Sequence, residues 1–168
     1  KVYVSSTAEI NFPTDHKQYL GALPNLLPKA KEIIDKHDLV ISIGSNVFDG
    51  FFYIKGQLFG NKTYHAHIDS SASAISRNEQ TNLGILSSPN TALKSLIDNV
   101  NSKIDGEGRE KISLRKNDIH KESEKILIAD TQTIQDKFND NPMSPYRLFY
   151  ELSEVLSEDV IIIDDSVS

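Results

Sequence analysis

Hydrophobic and polar positions along the chain switch repeatedly between the periods of strands and helices. Val2-Tyr3-Val4 opens as a short strand, and the polar stretch that follows, with Pro13 and Gly21 as breakers, reads as a long loop to Gly21. The spacing predicts a helix over 28–36 with Ala30, Ile33 and Ile34 inward, then a strand over Leu39–Ile43 that Gly44 ends. Thr63–Ile68 reads as a further strand and Asn82–Leu86 as a short one. Thr91–Ile104 reads as a helix with Leu93, Leu96, Ile97 and Val100 inward. This alternation predicts an α/β fold, a Rossmann-like parallel sheet with helices on both faces, over 1–104. An aromatic cluster of Phe48, Phe51, Phe52 and Tyr53 near Gly50 and Gly56 reads as core or interface packing.

From 105 to 140 the pattern dissolves into Asp105-Gly106-Glu107-Gly108 and mixed charges, which reads as a linker with some apolar content at Ile126-Leu127-Ile128 and Ile134. The segment 141–168 then reads as the helix-strand start of a second α/β domain. Ser144 is an N-cap with Pro145 at the first helical position, Leu148, Phe149, Leu152, Val155 and Leu156 share one helical face, and Val160–Ile163 is a buried strand. The strand's carboxyl end carries Asp164, Asp165, Ser166, Val167 and Ser168, and ligands of open α/β sheets bind at such ends. A parallel strand needs neighbours on both sides. Together with the abrupt start at Lys1, this leads to the expectation that the chain is a piece of something longer.

Composition narrows the partners. The 168 residues are 38% hydrophobic and 25% charged, an ordinary folded balance, and the net charge of −6 with scattered Lys and Arg argues against a nucleic-acid partner. Cysteine is absent, so there is no thiolate metal site or disulfide framework. No apolar run approaches the roughly 20 residues of a membrane span. A cytoplasmic protein with no membrane partner is the resulting expectation. Gly44-Ser45-Asn46 lacks the G-x-G-x-x-G spacing of a dinucleotide site. His65 and His67 share one face of their strand, but without a third His, Cys or carboxylate at ligand spacing they read as solvated or interface histidines, and no metal site is assigned.

Phe12-Pro13-Thr14-Asp15-His16, Gly21, Ile43-Gly44-Ser45-Asn46-Val47-Phe48, Asp69 and the 141–168 segment stand in an order that resembles the thiamine-diphosphate-dependent 2-oxo acid enzymes. The Phe-Pro-Thr-x-His loop and the Gly-x-x-Val-Phe turn are closest to the benzoylformate decarboxylase branch. Gly21-Ala22-Leu23-Pro24 departs from the Gly-Met-His-Gly-like segment of the acetolactate synthases, which lowers the expectation of flavin. The resemblance implies a central Rossmann-like domain over 1–104 that lacks its first strand and helix, a linker over 105–140, and the start of a diphosphate-binding domain over 141–168. It also implies thiamine diphosphate and Mg2+ in the full-length enzyme, with none bound to this chain alone. The implied partners are the remaining pyrimidine- and diphosphate-binding domains, in a homodimer or homotetramer.

By the same resemblance His16 is a catalytic residue that transfers protons, a task suited to an imidazole that titrates near pH 6.5. Lys17 stands where the family usually has proline, and Val167 where relatives often have threonine. Asp165, Ser166, Val167 and Ser168 are the implied cofactor-binding residues. The expected activity is decarboxylation of a 2-oxo acid by the intact enzyme, with this chain inactive alone. The alternatives are an acetolactate synthase-like carboligase, a stand-alone Rossmann-like nucleotide-binding module and an interaction domain.

Overall fold

A computed structural model describes residues 1–5, 12–45, 55–157 and 159–162. The aromatic cluster at 48, 51, 52 and 53, and Ile163 through Ser168, lie outside the described residues. The chain divides into two units, 1–120 and 121–168.

In the first unit, β1 (Val2–Ser5) pairs in parallel with β2 (Tyr19–Leu23), while β3 (Leu39–Ile43), β4 (Tyr64–Asp69) and β5 (Leu83–Leu86) form a parallel sheet in the order β3-β4-β5. The α/β class with parallel strands is as the periodicity predicts. Two differences stand out. Among the described residues the strands make two sheets rather than one, and Tyr19–Leu23 is a strand where a loop was expected.

Gly21 explains the second difference. The register runs Val2 to Tyr19 and Val4 to Ala22, so β2 carries one residue more than its partner, and Gly21 takes φ +95° at that irregularity. A glycine that reads as a breaker is therefore a bulge residue inside a strand. Gly44, at φ +54°, does end β3.

Helix α1 (Leu27–Ile34) has a proline, Pro28, in its first turn and buries Leu27, Ala30 and Ile34. These residues form a core cluster with Leu58, against which Leu23, Val40 and Phe59 pack. Thr63, itself buried, donates its hydroxyl to the His37 carbonyl at 2.8 Å and so joins the exit of α1 to the start of β4. Helix α2 (Pro89–Lys103) contacts β4, but Leu96, Ile97 and Val100, expected inward, are exposed. Helical periodicity marks the apolar face and does not supply something to cover it.

Residues 106–136, which read as linker, form one helix, α3 (Gly106–Asp136). Asp105 caps it, accepting the Gly108 N–H at 2.8 Å, and Lys111 pairs with Glu107 one turn earlier. Local chemistry of this kind stabilises an exposed helix, and α3 has no buried residue.

In the second unit, α4 (Pro145–Val155) follows the expected entry. The Ser144 hydroxyl accepts the Arg147 N–H at 3.3 Å and donates to the Lys137 carbonyl at 2.9 Å. Leu148, Phe149, Leu152, Val155 and Leu156, read as one helical face, are exposed. Val160, Ile161 and Ile162 are exposed and not in a strand, a further correction. No described strand pairs with them, and a parallel strand is held by its neighbours.

Candidate functional site

His16 lies between β1 and β2 on two consecutive turns. Its N–H donates to the Pro13 carbonyl at 3.2 Å, and its own carbonyl accepts the Tyr19 N–H at 2.8 Å. Gln18 then ties this segment to β1, its carbonyl accepting the Val2 N–H at 2.8 Å. The ring is exposed and meets Phe12 edge-on, with centroids 5.0 Å apart.

The tautomer is set locally. The Gln18 N–H donates to His16 Nδ1 at 3.2 Å, so in the neutral ring Nδ1 is the acceptor and Nε2 carries the proton. A solvent-accessible imidazole with one nitrogen anchored and the other bearing a proton is equipped to exchange protons with a ligand laid against it.

A second polar cluster is built on β4. Its alternation places His65, His67 and Asp69 on one face, and all three are buried. The reading of the two histidines as solvated or interface residues is thereby corrected. Each ring packs instead, Phe59 lying flat on His65 and His65 lying 5.9 Å from His67 between centroids. Both nitrogens of His65 are used. Nδ1–H donates to the Gln80 carbonyl at 3.0 Å, and Nε2 accepts the Ser42 hydroxyl at 2.9 Å. Burial lowers its pKa, and so does the neighbouring His67 charge, against an opposing pull from the Gln80 carbonyl.

Glu79 closes this region from the loop after β4, its carboxylate accepting the Leu58 N–H at 3.2 Å. Burial raises its pKa, opposed by the Leu58 and Phe59 amides and by the Lys31 charge. Asp69 accepts the Ser71 N–H at 2.7 Å. The shared face of positions 65, 67 and 69 was readable from strand alternation, but Asp69, quoted for the family resemblance, was not grouped with the two histidines.

The described residues do not build a metal centre, since among them no group of three His, Cys, Asp or Glu side chains could hold an ion. The four residues expected to bind the cofactor, Asp165, Ser166, Val167 and Ser168, lie outside the described residues.

Residues 1–96, from β1 into α2, match the family model "Thiamine pyrophosphate enzyme, central domain". The chain belongs to this thiamine pyrophosphate enzyme family. His16 and the β4 cluster fall within the matched span, whereas the carboxyl-terminal part of α2 and all of α3 and α4 follow it. No curated protein matches the chain. The central domain of a thiamine pyrophosphate enzyme is a Rossmann-like α/β fold, and the parallel strands with flanking helices seen here are of that kind. Among the described residues no helix is long and apolar enough to cross a membrane.

Proposed function

We propose that this chain is the central domain, with the approach to the diphosphate-binding domain, of a thiamine-diphosphate-dependent 2-oxo acid decarboxylase of the benzoylformate decarboxylase type. The family match over 1–96 carries the thiamine-diphosphate reading. The geometry of His16 supports a proton-transfer role for that residue: an exposed imidazole, anchored at Nδ1 by Gln18, presents Nε2 as the proton-carrying atom.

When bound, thiamine diphosphate supplies an electron sink for the carbanion left by loss of carbon dioxide. Mg2+ would accompany its diphosphate. In this reading Asp165, Ser166, Val167 and Ser168 approach that diphosphate, and the pyrimidine- and diphosphate-binding domains complete the site in a cytoplasmic homodimer or homotetramer. The 168 residues alone are inactive in the same reading. His16 would give and take a proton at Nε2 during the reaction. The turn geometry keeps the ring oriented, because Gln18 holds Nδ1 from the main chain.

The test is carbon dioxide release by the protein carrying this chain, with thiamine diphosphate and Mg2+, on a panel of aryl and alkyl 2-oxo acids. Aldehyde and carbon dioxide in equal amounts support the decarboxylase reading. Condensed 2-hydroxy-2-methyl acids as the main product replace it with the carboligase alternative. Silence on the whole panel, with cofactor bound, removes the 2-oxo acid assignment.

A further inference from the structure

His67 is 3% exposed, and its Nε2 has no hydrogen-bond partner. It lines a small cavity of about 10 Å3, shared with His65, Ala74, Ser76, Arg77, Asn78 and Glu79. Asp69 Oδ2 stands 3.8 Å from that nitrogen, too far for a hydrogen bond but near enough for an ion pair. Asp69 is also the residue through which the following loop is tied on, because its Oδ1 accepts the Ser71 N–H at 2.7 Å. Its main-chain carbonyl takes the Ser87 N–H at 2.9 Å, which fixes the strand end while the side chain keeps the freedom to turn.

We propose that His67 and Asp69 form a proton-operated latch, in which a proton taken up by the ring from solvent closes Nε2–H onto Asp69 Oδ2 and draws the 70–80 loop against the carboxyl end of β4. The proposal holds for either neutral tautomer, because a doubly protonated imidazole necessarily carries a proton on Nε2. A charge-assisted N–H to carboxylate contact settles at about 2.7–2.9 Å, so the Asp69 side chain moves about 1 Å toward the ring and takes Ser71 with it.

The surrounding groups leave Asp69 as the partner. His65 and Asp69 face His67 from its own strand, and Arg77 and Glu79 face it from the loop. His65 has committed both nitrogens to Gln80 and Ser42, and burial together with charge on His67 disfavours a proton there. Glu79 is engaged by the Leu58 amide. Strands β3 and β5 contribute no titratable side chain, and the charged residues of α2, Lys94, Asp98 and Lys103, do not line the cavity. This inference stands apart from the assignment of His16 and does not depend on it.

Amide hydrogen exchange of the protein carrying this chain tests it, with loop protection expressed relative to the β4 amides so that global opening cancels. Along a series of falling pH, the Ser71 and Ala74 amides should gain about tenfold protection in the wild type. That factor matches a hydrogen bond to a charged group. His67→Gln and Asp69→Asn should each abolish the gain. A flat wild-type profile, or the same gain in both variants, overturns the latch. If neither variant folds, the imidazole 15N spectrum of the wild type decides. A protonated Nε2 bonded to carboxylate at the lower pH supports the latch, and a ring still neutral there overturns it.

Discussion

The ring of His65 lies flat on the ring of Phe59, with centroids 3.9 Å apart and planes 11° from parallel. This stack joins the loop before β4 to its interior, and the His65 nitrogens extend the join to β3 through Ser42 and to the next loop through Gln80. The arrangement needs a neutral ring, because Nε2 is the acceptor for Ser42.

A pH dependence follows. The folded-state pKa of His65 lies below its ordinary value near 6.5, so the unfolded chain binds the proton more readily. The contribution is therefore fully present above about pH 6.5 and is lost as pH falls from there toward the folded pKa. The urea midpoint should drop between about pH 7.5 and pH 5.5. In His65→Gln the midpoint should be lower at neutral pH and flatter across the same range. Glu79 acts in the opposite sense, its raised pKa giving stability that is present below the ordinary carboxylate value and lost as pH rises through the folded one. Glu79→Gln separates the two. An unchanged slope in His65→Gln would assign the dependence to another group.

Gly21→Ala should destabilise the chain by about 1–3 kcal/mol, the usual cost of holding a non-glycine residue in a sparsely populated conformation. Nothing lies within 4 Å of where its Cβ would stand, so the loss comes from φ +95° and not from a clash. Gly21→Asn, which tolerates positive φ better, should therefore cost less than alanine in denaturant titration. Equal losses for the two would mean that the strain is not conformational.

Ser144→Ala removes an N-cap and a bond to the Lys137 carbonyl together, for a loss of about 0.5–2 kcal/mol. Ser144→Thr keeps both bonds and should restore most of it. Amide exchange at Arg147 reports the cap directly, and unchanged protection there in the alanine variant would contradict the assignment.

Strands β3 and β4 were legible because β-branched or alternating residues run to a clear stop, at Gly44 and Asp69. Strand β2 was hidden by Gly21, since one residue type serves both as a breaker and as a bulge. Helix α3 was hidden by Gly106, Gly108 and its charges, although Asp105 in front of them is an ordinary cap. Sequence periodicity found the apolar faces of α2 and α4 but not their exposure, which depends on what packs against them. At the candidate site His16 was reached through family resemblance alone, and the turn that fixes its tautomer depends on Gln18, two residues on, which no motif marks. The burial of His65 and His67 was missed because their polarity was weighed before the stacking partner Phe59 could be known.

The measurement that bears most directly on the proposed function is the turnover of His16→Ala in the full enzyme, supplied with thiamine diphosphate, Mg2+ and its 2-oxo acid. Removing a general acid–base group should lower kcat by about 10²–10⁴-fold. Thermal stability should change by no more than about 0.5 kcal/mol, because the ring is exposed. Wild-type turnover in that variant would contradict the account and reduce His16 to a surface residue of the turn before β2.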